Sequence, residues 1–326
     1  MKAAIVGIAG PDLRPEEAAL FQALPPAGVI LFKRNIQDPA QLVRLTATLR
    51  AALPPGAELM VDQEGGRVAR LRPPHWRDHP SAGAIGMLPH GSRSAWLTGA
   101  LIGADCAEAG FTVAAAPVLD LRVAGAHEGV VGDRSFGSDP EHVARLGRAM
   151  AEGLMAAGVM PVGKHCPGHG RAQVDSHHAL PHVHEADLDA DIRPFVLNSN
   201  LPWLMTAHIV YDALDPDRPA TLSPRVIETV IRGRIGFKGV LVTDDLAMNA
   251  LSGAPAQRAV SSLAAGCDLA LYCSGDFADN QAVLRAVPAV TPAAAARLAA
   301  ARTLLAARRQ PIDAAALAAE RDSLLA

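Results

Sequence analysis

The chain has 326 residues, half of them apolar and 19% charged, with a net charge of −3. Such a composition buries a large core and excludes a disordered protein. Without a long basic run it also argues against nucleic acid or an anionic membrane surface as partner, and no apolar stretch approaches the ~18 residues of a membrane span.

In chain order, the segment Ala3–Gly10 behind Met1-Lys2 has a faint signal-peptide look. One lysine and no cleavage site before Pro11-Asp12-Leu13-Arg14 favour a first buried strand instead, Ala4–Ile8. Further apolar runs follow at Val29–Phe32, Leu59–Asp62, Val113–Leu119, Met160–His165, Trp203–His208, Val240–Asp244 and Leu269–Cys273, the pattern of parallel strands covered on both faces. Helices between them start with a capping side chain followed by proline, at Asp38-Pro39, Asp139-Pro140, Ser223-Pro224 and Thr291-Pro292. The helix after Asp139 carries Val143, Leu146, Met150 and Leu154 on one stripe and stops at Gly158; the one after Ser223 carries Val226, Ile227, Val230 and Ile231 and stops at Gly236. These alternating units predict an α/β fold, a TIM-like (β/α)8 barrel over residues 1–290, with a doubly wound sheet as the competing architecture. The tail, 291–326, reads as two helices broken at Pro311 and packed on the barrel, so a single domain is expected. The cysteines Cys106, Cys166, Cys267 and Cys273 have neither metal nor disulfide spacing, which points to the cytoplasm.

Functional groups of parallel α/β folds gather at the carboxyl ends of the strands. Here those ends are unusually polar: Asp62-Gln63-Glu64-Gly65-Gly66-Arg67 with Arg70, Asp133-Arg134, Lys164-His165, Thr206-Ala207-His208 and Thr243-Asp244-Asp245. Lys164 is one of only four lysines among 30 basic residues, so a compact ammonium donor looks selected there. Six of the 12 histidines fall between His165 and His184. His165 and His169 have the H-x-x-x-H spacing of a metal site, but Pro167, Gly168 and Gly170 argue against the helix that spacing requires. In Asp175-Ser176-His177 a carboxylate stands two residues from an imidazole and can orient it as an acid/base; a solvated loop is the bland reading. Alternation sends Asp244 and Asp245 to opposite sides of their strand, and periodicity does not say which faces the barrel mouth.

Three segments together resemble glycoside hydrolase family 3, in its NagZ-type β-N-acetylglucosaminidase branch. They are Val61-Asp-Gln-Glu-Gly-Gly-Arg-Val68, Gly163-Lys-His-Cys-Pro-Gly-His-Gly170 with Asp175-Ser-His177, and Gly236 to Leu246. Gly28 to Phe32 with Arg34-Asn35, Ala116 to Asp120 and Gly132 to Phe136 extend the likeness across residues 1–290. The resemblance implies a retaining exo-glycosidase, a β-N-acetylhexosaminidase releasing terminal β-linked GlcNAc from GlcNAc-1,6-anhydroMurNAc muropeptides during peptidoglycan recycling. It implies Asp244 as nucleophile, His177 as general acid/base and Asp175 as the residue orienting it. Asp62, Arg70, Arg134, Lys164 and His165 are implied as sugar-binding residues, with no metal or cofactor, and a monomer acting on a small sugar or muropeptide. Cys166 departs from the family's phenylalanine and puts fine substrate preference in question. A β-GlcNAc phosphorylase on the same scaffold, a metal-dependent barrel hydrolase and a non-catalytic sugar binder are the alternatives.

Overall fold

The computed structural model describes residues 1–126, 128–174, 176 and 179–325. The apolar runs become strands with no solvent face. They are β1 (Lys2–Gly7), β2 (Pro26–Leu31), β3 (Glu58–Val61), β4 (Val113–Ala114), β5 (Met160–Cys166), β6 (Trp203–Thr206), β7 (Val240–Asp245) and β8 (Leu269–Tyr272). Each pairs in parallel with its neighbours in sequence, and β8 closes on β1 through Ala4↔Ala270 and Val6↔Tyr272. The result is the closed eight-stranded barrel expected from the sequence, in one domain. β4 is shorter than the apolar run Val113–Leu119. Pro117 has no N–H to give the ladder, but bonding to β5 continues past β4: Val162 N–H donates to the Ala116 carbonyl at 2.8 Å, Lys164 N–H to the Pro117 carbonyl at 3.1 Å, and Leu119 N–H to the Lys164 carbonyl at 2.7 Å.

The proline-marked helix starts form as their chemistry dictates. Asp38 caps α2 (Pro39–Ala52) by accepting from Gln41 N–H at 2.8 Å, and Asp139 caps α5 (Pro140–Ala156) by accepting from His142 N–H at 2.7 Å. The stripe of α5 is buried, and the helix packs chiefly on the neighbouring helix Gly91–Glu108 as well as on β5. Ser223 accepts from Val226 N–H at 3.0 Å, but the following segment, Val226–Arg234, winds as a π-helix. Over nine residues an apolar stripe does not separate the two windings, and Val226, Ile227, Val230 and Ile231 are buried either way.

Inside the barrel Ile5, Ile30, Met60, Val162, Trp203, Val242 and Leu271 form one cluster, which Leu298 and Ala301 of α9 (Pro292–Arg308) join. That helix lies at the end where strands begin, since Val290 N–H, just before it, donates to the Met1 carbonyl at 2.9 Å. Apolar residues thus stopper the amino end of the barrel, and the polar strand ends lie at the opposite end. The last helix, α10 (Ala314–Leu325), packs on α4 (Gly91–Glu108) and pairs Glu320 with Arg93 at 2.7 and 2.6 Å. A small parallel ribbon, His182–Val183 with Val210–Tyr211, ties the end of the loop after β5 to the loop after β6. Among the described residues no helix is long and apolar enough to cross a membrane.

Candidate active site

The carboxyl ends of the strands surround a cavity of about 220 Å³ lined by Asp62, Glu64, Arg70, Arg134, Lys164, His165 and Asp244, among others. It is built on opposed charges. The Lys164 ammonium, 2% exposed, donates to Glu64 Oε1 at 2.7 Å and to Asp62 Oδ1 at 3.2 Å. Arg134 donates to both Glu64 oxygens, each at 2.8 Å, and to the Val130 carbonyl at 2.9 Å. Arg70 donates to Asp62 Oδ2 at 3.0 Å and lies over the Phe32 ring. Burial alone would push Glu64 up; Arg134 and Lys164 overcome it and hold the carboxyl far below the usual range. The same balance leaves Asp62 lowered and Lys164 and Arg134 raised, so these three and Glu64 stay charged. The loop carrying Asp62 and Glu64 is fixed by Gln63, fully buried, which accepts from the Arg70 and Leu71 N–H groups at 2.7 and 3.0 Å. Gly65 and Gly66 follow at φ 98° and 54°, and a Cβ on Gly65 would stand 2.4 Å from the Pro80 carbonyl oxygen.

His165 projects from the end of β5. Its Nδ1 donates to Asp120 Oδ2 at 2.7 Å, while Asp120 Oδ1 accepts from the backbone N–H of His165 at 3.1 Å and of His169 at 2.7 Å. Burial opposes the Asp120 charge, but these donors hold its pKa down. The bonded Nδ1 fixes the ring so that Nε2 faces Arg134 Nη2, 3.5 Å away.

The geometry separates the two aspartates at the end of β7. Asp245 Oδ1 accepts from Ala247 N–H at 2.8 Å and Cys273 N–H at 2.9 Å, so it stitches the turn to β8. Asp244 accepts only one of the described hydrogen bonds, from Asp245 N–H to Oδ1 at 2.8 Å. Its burial would raise its pKa, yet His165, His208, that N–H and Lys164 bring it down to about 2. His208 in turn donates from Nε2 to the Asp245 carbonyl at 2.9 Å; a carbonyl only accepts, so that nitrogen carries the proton. Asp244 is therefore an ionised, buried carboxylate whose second oxygen accepts no hydrogen bond among the described residues.

Asp175 and His177 lie outside the described residues. Ser176 between them lines the cavity, and its carbonyl accepts from Ala250 N–H at 3.1 Å in the loop after β7. Among the described residues no three His, Cys, Asp or Glu side chains form a group able to hold a metal. Cys166 is buried in the same hydrophobic cluster as Leu119, Phe195 and Leu204 and is not part of the cavity lining. Sequence reasoning assigned no role to Glu64 or Asp120. Both stand at polar strand ends within the quoted motifs, which was the available signal.

Comparison with known proteins agrees with this geometry. The family described as "Glycosyl hydrolase family 3 N terminal domain" matches residues 6–305. A "Beta-hexosaminidase" of Alkalilimnicola ehrlichii is 39% identical over 306 residues, 90% of this chain and 86% of that one. One of Pseudomonas aeruginosa is 40% identical over 291 residues, covering 87% and 85%. Among solved structures, NagZ from Neisseria gonorrhoeae in complex with N-trifluoroacetyl-D-glucosamine superposes with a TM-score of 0.87 at 31% identity, covering 100% of this chain and 98% of that one. The chain belongs to glycosyl hydrolase family 3 and is a glycosidase.

Proposed function

We propose that the chain is a retaining exo-β-N-acetylhexosaminidase that removes a terminal β-linked N-acetylglucosamine. Its physiological substrate in this reading is the muropeptide fragment GlcNAc-1,6-anhydroMurNAc, met in the cytoplasm during peptidoglycan recycling by a monomeric enzyme. The observation that carries the reading is Asp244, ionised at a pKa of about 2 and opening into a cavity ringed by Asp62, Arg70, Arg134, Lys164 and His165. A cavity of about 220 Å³ is smaller than most ligand pockets and suits one sugar ring better than an oligosaccharide. The similarity to an enzyme solved with an N-acylated glucosamine derivative supports the choice of sugar.

In the first step Asp244 attacks the anomeric carbon as the glycosidic C–O bond breaks, and His177, oriented by Asp175, protonates the departing oxygen. In the second, His177 takes a proton from water, the resulting hydroxide attacks the same carbon, and the Asp244 ester bond breaks to release the sugar with its configuration retained. Asp62, Lys164 and Arg134 supply charged hydrogen bonds to the sugar, with Arg70 and His165 completing the clamp.

The test is turnover of a chromogenic aryl β-GlcNAc glycoside. Asp244→Asn keeps size and should lower kcat on the order of a thousandfold or more; turnover like that of the wild type would refute the assignment. Product chromatography in phosphate buffer should yield free GlcNAc, whereas GlcNAc-1-phosphate would replace hydrolysis with phosphorolysis. Chelator should leave the rate unchanged, and a loss restored by zinc would favour the metal-dependent alternative.

A further inference from the structure

The geometry points to His169 as a further specificity-determining residue, an imidazole that donates a hydrogen bond from Nε2 to a hydroxyl of the terminal sugar in the cavity. The inference deepens the hexosaminidase reading and rests on it. His169 lines the same cavity as Asp244 and is 3% exposed, with its ring edge-on to that of His165 at a centroid distance of 5.4 Å.

Its backbone is pinned on every side. The N–H donates to Asp120 Oδ1 at 2.7 Å, the carbonyl accepts from Ala172 N–H at 3.2 Å, and the preceding Gly168 carbonyl accepts from Tyr211 Oη at 2.7 Å. A Cβ on Gly168 would meet Asp191 Cβ at 3.0 Å, and one on Gly170 would meet the Leu121 carbonyl oxygen at 2.2 Å. Two glycines thus let the chain press against its neighbours, and the imidazole between them has one place to go. A ring that only filled space would not need this.

The hydrogen bonding of the ring narrows its role. Nδ1 is buried and makes no hydrogen bond among the described residues. An orphaned N–H would cost more there than a bare lone pair, so the favoured tautomer carries its proton on Nε2, the nitrogen left to meet a ligand at the cavity. Burial and the neighbouring His165 lower the pKa to about 4, against the opposing pull of Asp120 and Asp244, so the ring is uncharged at neutral pH. The groups implied as the sugar clamp are mostly charged and already paired with one another. His169 adds an uncharged donor whose hydrogen is not taken up by any of the described residues, and it does so without placing a positive charge beside Asp244. A sugar hydroxyl, which accepts without bearing charge, matches such a donor.

The experiment compares wild type with His169→Phe, His169→Gln and His169→Asn on aryl β-GlcNAc and on its 3-, 4- and 6-deoxy analogues. Phenylalanine keeps the ring and removes the donor, so kcat/KM should fall about tenfold or more. Glutamine places an N–H near the Nε2 position and should restore most of that loss; asparagine, which reaches only to the Nδ1 position, should not. The penalty of His169→Phe should disappear on the one deoxy analogue that lacks the contacted hydroxyl. An equal penalty on all analogues, no penalty on the parent sugar, or a glutamine variant as poor as asparagine would each overturn the inference. Because glutamine and asparagine differ only in reach, their comparison remains decisive even if the phenylalanine variant folds poorly. A wild type that fails to cleave aryl β-GlcNAc sinks the hexosaminidase reading itself. An active wild type with indifferent variants sinks only the role of His169.

Discussion

Replacing Glu64 by glutamine perturbs the charge lattice at its centre while keeping the side chain's size. Glu64 is 6% exposed and accepts from Arg134 twice at 2.8 Å and from Lys164 at 2.7 Å. Removing one partner of a buried ion pair costs about 3–5 kcal/mol. The lower end applies here, because glutamine keeps one acceptor oxygen, Arg134 retains the Val130 carbonyl and Lys164 retains Asp62. At about 2.1 cal/mol/K of unfolding entropy per residue over 326 residues, a loss of about 3 kcal/mol lowers Tm by about 4 °C. Glu64's pKa is lowered on folding, so its contribution is complete above the unfolded glutamate pKa and is lost as pH falls toward the folded one. The Tm gap between wild type and Glu64→Gln, measured by calorimetry, should be full at pH 7 and narrow below about pH 4. Arg134 and Lys164 would also lose their fixed positions, and a displacement of about 1 Å in a clamp can cost about a hundredfold in kcat/KM. A Tm within about 1 °C of wild type at pH 7, or a gap that widens in acid, would refute the argument.

Two further outcomes follow from the same geometry. Asp244 keeps its charge down to a pH of about 2, so kcat/KM on an activated aryl glycoside should show no acid limb from the nucleophile between pH 7 and about 4; a limb with its midpoint near pH 5 that moves in Asp244→Glu would contradict this. Cys166→Phe inserts a ring into the packed cluster that also holds Phe195 and Leu204 and should cost about 1–3 kcal/mol in denaturant unfolding. Because Cys166 is not part of the cavity lining, the ratio of kcat/KM between β-GlcNAc and β-glucoside substrates should be unchanged, and a shifted ratio would show that Cys166 does tune substrate preference.

What the sequence revealed was local. Apolar runs buried on both faces announce strands by themselves, and Asp38, Asp139, Ser223 and Thr291 announce helix starts through a side chain and a proline next to it. The polar strand ends likewise marked Asp62, Lys164, His165 and Asp244, since a charge at the end of a buried strand needs a reason. What stayed hidden depends on partners far along the chain. Glu64 acquires its role from Arg134, 70 positions away, and Asp120 from His165, 45 positions away. The distinction between Asp244 and Asp245 was equally invisible to periodicity. It is made by the Cys273 N–H, 28 positions on, which claims Asp245 for the junction with β8 and leaves Asp244 to the cavity. Asp175 and His177, assigned by resemblance to the acid/base role, lie outside the described residues.

The central claim is that Asp244 forms a bond to the sugar. The direct measurement is intact-mass and peptide-mapping analysis after incubation with a fluorinated N-acetylglucosaminyl donor that forms the intermediate faster than it hydrolyses. One added sugar per chain is expected, located on the peptide containing Asp244 and absent from Asp244→Asn. An active enzyme that acquires no adduct, or carries it on another residue, would contradict it.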